Sequence, residues 1–387
     1  MRVAFTLING TEWAGGYNYL LNLVRVLRQY AHDRVEPVLF TGYDVEEKSL
    51  EPFSHILNDA VIQDPVFDTA HNAKRTLLRL LLGTERTIES VFKKHNIDIV
   101  FEPAIYYGWR FPFPTLAWIA DFQHRLLPDM FSRTAYWKRD LGLRAQMLTG
   151  RTIMLSSENA KQDMERFYGR AGKNAFVVPF AVDAPSYTSD IDSVSSRYSL
   201  PEIFFYLPNQ FWKHKNHQVV IEALKILRDQ GKSVVVAASG NSKDPRHPGY
   251  FESLQSKIRS YEIEQNFRYL GVIPYKDLIG LMRASIAVIN PSLIEGWSTT
   301  VEEAKSLGVP LILSDIPVHR EQNQEAMFFD PRSARSLAET MLLAISSSNL
   351  QVKTELQRQA TAKTRYRLKT FADKFIEALS VTVQQVV

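Results

Sequence analysis

Residues 286–308, IAVINPSLIEGWSTTVEEAKSLG, decide the fold of this chain. The apolar run at their start predicts a buried strand that ends at Pro291, and a helix is expected to begin between Ser298 and Thr300. Main-chain N–H groups at the start of such a helix, together with the positive end of its dipole, form an anion site at the carboxyl end of a parallel strand. The segment therefore predicts an α/β domain that can bind a phosphate.

Two carboxylates bracket this turn. Glu295 lies in the loop, and Glu303 lies further along the helix, where its side chain can point towards a ligand. A purely structural interpretation is also open, because Thr299 with Glu302, or Thr300 with Glu303, has the spacing of a capping box. That interpretation leaves the carboxylate in the loop unexplained.

The alternation of strand and helix continues through the whole chain. Short β-rich apolar runs alternate with longer segments of helical period, which is the pattern of doubly wound α/β domains. The predicted strands are 3–8, 35–41, 98–101, 115–119, 152–156, 176–178, 203–207, 234–238, 267–270, 286–290, 310–313 and 327–329. The predicted helices of the N-terminal half are 17–30, 73–95, 134–148 and 157–168. We expect two α/β units of similar size.

A polar, turn-rich segment separates the two predicted units. We expect an N-terminal domain at residues 1–183, a linker at 184–200, a C-terminal domain at 201–370 and a final helix at 371–387. The final helix carries apolar residues at helical spacing and could pack back on the N-terminal domain. A cleft between two such domains is a natural ligand site.

The composition excludes several classes of protein. With 45% apolar and 23% charged residues among 387, the chain is typical of a folded, soluble protein. It has no cysteine, which excludes disulfide scaffolds, thiolate metal sites, cysteine nucleophiles and iron–sulfur clusters. A net charge of +4 without a basic stripe or a known motif argues against nucleic-acid binding. No apolar run approaches the roughly 20 residues of a membrane span. The N-terminus has only about six apolar residues before polar ones return, which is too short for a signal peptide core, so we expect a cytoplasmic protein.

A basic turn follows the first strand of the second unit, in the sequence YLPNQFWKHKNH at residues 206–217. Lys213 and Lys215, with His214 and His217, form a compact group of donors for a diphosphate. Each charge-assisted hydrogen bond of this kind is worth about 1.5–3 kcal/mol. A solvated basic turn is the alternative. The segment holds no carboxylate, which argues against a metal site on the two histidines.

Two turns in the first unit carry weaker signals. Gly15 and Gly16 follow the first strand and would let the backbone approach a ligand closely, although a simple turn explains them equally well. They do not match the Gly-x-Gly-x-x-Gly dinucleotide fingerprint. Asp121 and His124 follow another strand, at the end where α/β domains place functional groups. The aspartate could instead cap a helix.

The predicted helix at 73–95 has a face of leucines that is surrounded by basic residues. Its cations and its leucines suit contact with an anionic membrane, whereas an ordinary surface helix is the alternative. The cations are Lys74, Arg75, Arg79, Arg86, Lys93 and Lys94, and the leucines are Leu77, Leu78, Leu81 and Leu82. An Asp-x-Asp metal motif at Asp190 and Asp192 falls in the polar linker, where we interpret it as solvated.

These segments resemble the retaining glycosyltransferases of family 4, also called glycosyl transferases group 1. The family carries two glutamates separated by seven residues, as Glu295 and Glu303 are here, and the following GVPLILSD at 308–315 fits the same pattern. The resemblance implies the B-type glycosyltransferase fold, in which two Rossmann-like domains face each other. The C-terminal domain would hold a nucleotide-sugar donor, and the N-terminal domain would hold the acceptor.

The resemblance assigns roles to individual residues. Glu303 would bind the ribose hydroxyls, and Glu295 would lie beside the transferred sugar or its phosphate. Lys215 would hold the donor diphosphate, with Lys213 beside it and Gln210 at a place where the family frequently has arginine. The remaining donor contacts would come from the backbone. They involve Gly15 and Gly16, Ile273 at the base, and Gly296, Trp297, Ser298, Thr299 and Thr300 at the sugar and phosphate.

The implied catalytic set is Glu295, Lys215, Asp121 and His124. Ala120 replaces a histidine that is frequent in the family, and it stays open whether His124 has taken over that role. The implied reaction is a retaining transfer, without metal or cofactor, from a nucleotide-diphosphate sugar to a saccharide or lipid-linked saccharide of the cell surface. A nucleotide-sugar-binding protein without activity stays open as an alternative, and UDP, GDP, dTDP and ADP stay open as the nucleotide.

Overall fold

The computed structural model describes residues 1–10, 13–69, 75, 79–103, 105–169, 175–184, 191–348 and 350–385. The chain forms two compact units. The first comprises Met1–Arg125, Arg133–Ala181 and Arg367–Val387, and the second comprises Leu126–Ser132 and Val182–Tyr366. Within the linker predicted at 184–200, residues 185–190 lie outside the described residues, and a helix begins at residue 191.

The first unit is built on a parallel sheet of seven strands in the order β3-β2-β1-β4-β5-β6-β7. The strands at Ile99–Glu102, Thr115–Ile119 and Thr152–Leu155 are buried along their whole length, as expected where helices cover both faces of a parallel sheet. The strands are β1 Arg2–Thr6, β2 Glu36–Thr41, β3 Val61–Gln63, β4 Ile99–Glu102, β5 Thr115–Ile119, β6 Thr152–Leu155 and β7 Ala175–Val177. The short β3 was not predicted from the sequence.

Helices connect these strands. They are α1 Ala14–Tyr30, α2 Glu47–Leu57, α3 Arg86–Lys94, α4 Gln123–Leu126, α5 Arg133–Leu148 and α6 Glu158–Tyr168. The last helix of the chain, which runs over Leu350–Gln384, contributes its C-terminal part to this unit. There the ring of Phe375 lies 6.3 Å from that of Phe5 and 5.7 Å from that of Phe101.

The helix predicted at 73–95 is interrupted. Residues 79–82 are helical, and α3 begins at Arg86. Gly83 between them has a φ of +79°, which only glycine adopts readily, and its carbonyl accepts a hydrogen bond of 2.6 Å from the N–H of Arg110. Residues 70–74 and 76–78 lie outside the described part of the chain. The predicted continuous helix is therefore wrong at this glycine.

The second unit is built on a parallel sheet of six strands in the order β10-β9-β8-β11-β12-β13. Its strands are β8 Phe205–Leu207, β9 Val236–Ala238, β10 Phe267–Tyr269, β11 Ala287–Asn290, β12 Leu311–Ser314 and β13 Met327–Phe329. Its helices are α7 Ile191–Arg197, α8 His217–Asp229, α9 Tyr250–Ser260, α10 Tyr275–Ala284, α11 Thr299–Leu307, α12 Pro317–Gln322, α13 Ala334–Ser347 and the first part of α14 Leu350–Gln384. The prediction of two parallel α/β units is confirmed.

The order of the second sheet contains a switch point. The chain runs outwards from β8 to β9 and β10, and it then returns to the other side of β8 with β11. The loops after β8 and β11 consequently leave the carboxyl edge of the sheet in opposite directions and open a crevice, where α/β sheets bind ligands. Among the described residues, no helix is both long enough and apolar enough to span a membrane.

Candidate functional site

The crevice in the second unit is bordered by the loop after β8 and the loop after β11. The two loops are fastened to each other by the amide of Asn209, which donates to Asn290 at 3.3 Å, and by the N–H of Leu293, which donates to the carbonyl of His214 at 2.8 Å. The basic turn and the acidic loop predicted from the sequence therefore lie side by side.

The start of α11 is an open cluster of N–H groups. Ser298 caps the helix, with its hydroxyl accepting from Val301 N–H and from the Asn290 amide at 2.8 Å. Within the described part of the chain, no hydrogen bond reaches the N–H of Thr299 or Thr300. Both N–H groups and the helix dipole are available to an anion, which is the arrangement predicted for the donor phosphate.

The same turn corrects the capping-box interpretation. A buried amide, Gln322, accepts a hydrogen bond from the N–H of Ser298 at 3.1 Å and donates one to its carbonyl at 2.8 Å. Glu302 pairs with Lys305 at 2.7 Å instead of reaching back to the cap. Neither predicted capping box forms, because contacts from β11 and α12 fix the cap at Ser298.

Glu295 forms a buried ion pair with Lys215. Lys215 Nζ lies 2.5 Å from Glu295 Oε1, and the Ser292 hydroxyl donates to the same oxygen at 2.6 Å. Burial acts to raise the pKa of Glu295, but the charges of Lys215 and His319 and these hydrogen bonds outweigh it and hold the pKa below its usual value. Glu295 is therefore ionised and its charge is balanced at the floor of the crevice.

Glu303 lies in a different electrostatic environment. Its side chain is buried, and the hydroxyl of Tyr275 donates to Glu303 Oε1 at 2.9 Å. Burial raises the pKa of Glu303 to about 7, because no cation offsets the loss of water. The two glutamates of the motif thus differ in charge near neutral pH, and only Glu303 titrates there.

The basic turn differs from its prediction in its two histidines. The ring of His217 is buried and stacks on that of Phe211 at 4.0 Å, and burial lowers its pKa to about 3. Burial together with the charges of Lys215 and Arg246 also holds the pKa of His214 far below its usual value. Both histidines are neutral, so neither adds a positive charge to the basic turn, and their hydrogen bonds to a diphosphate stay a prediction.

Arg246 was not found from the sequence. Its side chain lies over the ring of Trp212 at 5.4 Å and 3.3 Å from Nδ1 of His214. Asp244 ties this loop to the basic turn, because its carboxylate accepts from the N–H groups of Lys213 at 3.1 Å and Arg246 at 3.0 Å. The structure thus brings a further cation, Arg246, beside the basic turn, from a position 32 residues from His214 in the sequence.

Gln210 and Ile273 lie in loops that border the same edge of the sheet. Gly240, with a φ of +150°, has no room for a side chain, since a Cβ there would meet the carbonyl of Asn209 at 2.4 Å and Cα of Gln210 at 3.0 Å. The N–H of Gly240 donates to the carbonyl of Gly271 at 2.9 Å, which fixes the loop that carries the half-buried Ile273. The donor contacts of Gln210 and Ile273 stay predictions.

In the first unit, Gly16 has a packing role. A Cβ on Gly16 would lie 2.4 Å from the ring of Trp13, which itself stacks on Trp118 at 5.4 Å. A Cβ on Gly15 would meet Trp13 at an ordinary 3.5 Å. The ring of Trp13 is therefore sufficient to explain the second glycine, whereas the donor contact of the exposed Gly15 stays a prediction.

Asp121 and His124 lie in different environments of the first unit. Asp121 is partly exposed, and its Oδ1 accepts from Arg139 at 2.7 Å and from the N–H of Gln123 at 2.8 Å. His124 is fully buried with Nε2 at 3.1 Å from the hydroxyl of Tyr168. Burial and the charge of Arg139 lower the pKa of His124 to about 4, so the ring is neutral. The catalytic assignment of both residues stays a prediction.

No group of three or more His, Asp or Glu side chains is arranged to hold a metal ion in the ranges that the structure describes. Asp190, the first residue of the Asp-x-Asp motif, lies outside those ranges.

Comparison with known proteins identifies the second unit. A family model described as glycosyl transferases group 1 matches residues 190–365. Those residues are therefore similar to the glycosyl transferases group 1 family. The match spans the open start of α11 and the Lys215–Glu295 pair, so the region that resembles the family contains the crevice described above. The predicted resemblance to this family is confirmed.

Similarity to individual proteins extends beyond the region that resembles the family. The chain is 22% identical over 219 residues to the O-antigen chain mannosyltransferase RfbU of Salmonella typhimurium, a match that covers 56% of this chain and 57% of that protein. The alignment thus spans little more than half of this curated relative.

Solved structures match over almost the whole chain. A glycosyltransferase from Rickettsia africae has a TM-score of 0.71 at 15% identity, covering 100% of this chain and 97% of its own. Anabaena HepE, solved in complex with UDP-glucose, has a TM-score of 0.71 at 16% identity, covering 98% and 100%. The fold is therefore the B-type glycosyltransferase fold, as predicted.

Proposed function

We propose that this protein is a glycosyltransferase that moves a sugar from a nucleotide-diphosphate donor to a saccharide or lipid-linked saccharide acceptor in surface polysaccharide synthesis. The observation that carries the proposal is the crevice in the region that resembles the group 1 family. There the open N–H groups of Thr299 and Thr300 adjoin the loop of Glu295, which is paired with Lys215. The relatives named as a mannosyltransferase and as a UDP-glucose complex support the same class of reaction.

The nucleotide-sugar donor would be held by four groups of the second unit. The start of α11 and Lys215 would bind the diphosphate, because both donate hydrogen bonds to phosphate oxygens. The helix dipole and the lysine charge also attract the negative phosphate. Glu303 would accept from the ribose hydroxyls, and Glu295 would lie beside the sugar. The N–H groups at the start of α11 and Lys215 would also stabilise the negative charge that develops on the leaving diphosphate.

Chemically, we propose retention at C1 of the sugar without a metal ion. The acceptor oxygen forms the new bond to C1 as the bond from C1 to the phosphate oxygen breaks. The nucleoside diphosphate leaves with that electron pair, and the acceptor proton passes to the departing phosphate oxygen. No side chain is assigned as a nucleophile, since Glu295 is engaged with Lys215 and Ser292.

The first test is a thermal-shift screen against UDP, GDP, dTDP and ADP, with a single-stranded oligonucleotide as the control. A ligand at about 100 times its Kd stabilises a folded protein by about 2.7 kcal/mol, so a shift of several degrees is expected with one nucleotide. Stabilisation by the oligonucleotide alone, or by none of the nucleotides, would contradict the proposal. Release of that nucleotide from its sugar conjugate in the presence of acceptor then separates a transferase from a binding protein without activity.

Peripheral contact with an anionic membrane is a second part of the proposal. Leu80, Leu81 and Leu82 are exposed, and the exposed ring of Trp109 lies 2.6 Å from where a Cβ of Gly83 would be. Exposed cations at Arg86, Lys93, Lys94 and Arg110 adjoin this segment in sequence or contact it. An apolar tip with aromatic and basic neighbours suits the interface of a membrane that carries negative lipids.

Two cations of the predicted membrane face have another role. Arg79 is buried and lies 2.6 Å from Glu85, and Arg75 lies 3.5 Å from the same carboxylate. They hold the segment together and do not face lipid.

We expect the protein to sediment with phosphatidylglycerol vesicles at low salt and to be released as salt screens the charges. The double variant Leu81→Ser with Leu82→Ser should lose most of that binding, whereas Leu148→Ser, which changes an equally exposed leucine elsewhere, should not. Equal sedimentation of both variants with the wild type, or none by the wild type, would count against the membrane contact.

A further inference from the structure

Tyr275 lies at the first position of α10 and reaches Glu303 on α11. The residue is 44% exposed, yet its hydroxyl donates to Oε1 of Glu303, a residue that is only 8% exposed. A solvent-exposed tyrosine thus donates a hydrogen bond to a buried carboxylate at the edge of the crevice. The sequence gives no signal for this contact, because 28 residues separate the two side chains.

No other side chain donates to the carboxylate of Glu303 in the part of the chain that the structure describes. The nearest alternative is Tyr206 on β8, whose buried hydroxyl pairs with that of Ser239 at 2.6 Å. Charged groups on α11 point elsewhere, since Glu302 and Lys305 pair with each other. One oxygen of Glu303 is therefore fixed by Tyr275, and the other is left for a ligand.

The loop that leads into Tyr275 carries an exposed apolar side chain. Val272 is 77% exposed, and Gly271 before it has a φ of +74° that a side chain would strain. The loop is held at this glycine by the hydrogen bond from the N–H of Gly240. An exposed apolar group and a hydrogen-bond acceptor are the two features that a nucleoside needs, one for its base and one for its ribose.

We propose that Tyr275 is the positioning residue of a nucleoside subsite, where it fixes one oxygen of Glu303 so that the other oxygen accepts from the ribose hydroxyls. This inference rests on the proposed function, because it assumes that the crevice binds a nucleotide. The phenol acts through Glu303 and takes no part in bond formation.

Removing the phenol hydroxyl changes two properties of Glu303 together. Its carboxylate is no longer fixed in one rotamer, and it loses the hydrogen bond that favours its ionised form, so its pKa rises further from its already raised value. Both changes weaken acceptance from the ribose, and the second moves the pH dependence of binding to higher pH.

The test is isothermal titration of wild type and Tyr275→Phe with whichever of UDP, GDP, dTDP and ADP gives the largest thermal shift, over pH 5.5–8.5. We expect about 10-fold weaker binding by the variant at pH 7 and a higher pH midpoint, since a hydrogen bond to a charged group is lost. Tyr261→Phe, which removes a phenol hydroxyl elsewhere in the same unit, should bind as the wild type does.

A second ligand separates this role from a general loss of structure. With the 2′,3′-dideoxy form of the same nucleotide, wild type and Tyr275→Phe should bind equally, because Glu303 then has no partner to accept from. Equal loss with both ligands, tighter binding by Tyr275→Phe, or an unchanged pH midpoint would overturn the inference. If the wild type binds no nucleotide at all, the proposed function fails instead.

Discussion

Lys215→Ala is expected to lower kcat by about 10²- to 10³-fold, which corresponds to about 2.7–4 kcal/mol of barrier. Lys215 supplies a positive charge at the crevice floor, where the start of α11 offers only partial charges. Negative charge grows on the diphosphate as its bond to the sugar breaks. The loss of Lys215 should therefore destabilise the transition state more than the bound donor. The measurement is release of nucleoside diphosphate at saturating donor and acceptor.

The same substitution should also destabilise the protein. Glu295 is only 9% exposed in its side chain, and without Lys215 its carboxylate would stand buried without its nearest positive partner. Breaking such a pair typically costs about 3–5 kcal/mol. The pKa of Glu295, now held down by Lys215 and His319, would rise, and the variant would take up a proton there at higher pH than the wild type.

A second substitution separates the two effects. Lys215→Ala combined with Glu295→Gln removes the unpaired charge. Most of the lost stability, measured by urea unfolding, should therefore return, while kcat should stay low. Lys257→Ala is the matched control, because Lys257 pairs with Glu222 at 2.9 Å near the surface and should cost less than about 1 kcal/mol with no change in kcat. Recovery of kcat in the double variant would show that Lys215 acts only by holding the fold.

Local pattern was sufficient to predict the sheets. Strands such as β5 and β13 were predicted at the residues where they occur, because buried parallel strands are continuous apolar runs bounded by turns. The elements that the sequence did not predict are those with weak local signals. The three-residue β3 is only partly buried, and Pro52 inside α2 argues against a helix when it is seen without its surroundings.

The sequence predicted the motif of the candidate site but not the residues that contact it from other elements. Glu295 and Glu303 could be found because strand, turn and helix set their spacing within one segment. Gln322, Arg246 and Tyr275 could not, since each reaches the site from a different loop or helix, and single-chain periodicity carries no signal for such contacts. The burial of the two histidines in the basic turn was missed for the same reason. Their burial depends on Phe211 and Arg246, not on their own neighbours in sequence.

Glu303→Gln is expected to weaken nucleotide binding by about 30-fold and to remove its pH dependence near neutrality. A carboxylate accepts hydrogen bonds from ribose hydroxyls more strongly than an amide does, and a charge-assisted bond contributes about 1.5–3 kcal/mol. Because burial raises the pKa of Glu303 to about 7, the wild-type side chain is ionised only above that pH. Affinity of the wild type should therefore rise as pH increases through 7 and then level off.

Titration of the nucleotide itself must be removed from this measurement, since a terminal phosphate has a pKa of about 6. The quantity to compare is the ratio of the two Kd values, wild type to Glu303→Gln, at each pH from 5.5 to 8.5. Both proteins share the phosphate titration, so the ratio reports Glu303 alone. A ratio that does not change with pH would show that this carboxylate does not contact the bound nucleotide.

The stability of the unliganded protein should change in the opposite direction. Glu303 has an ordinary pKa of 4.5 in the unfolded chain and about 7 in the folded chain, so the folded state holds more protons between these values. Stability of the wild type should then fall as pH rises from about 4.5 to about 7, by up to about 3 kcal/mol relative to Glu303→Gln. Urea unfolding of both proteins across that window measures it. Opposite slopes for stability and for nucleotide affinity are the expected result of a carboxylate that is costly to ionise in a dry site and that the ribose hydroxyls then stabilise.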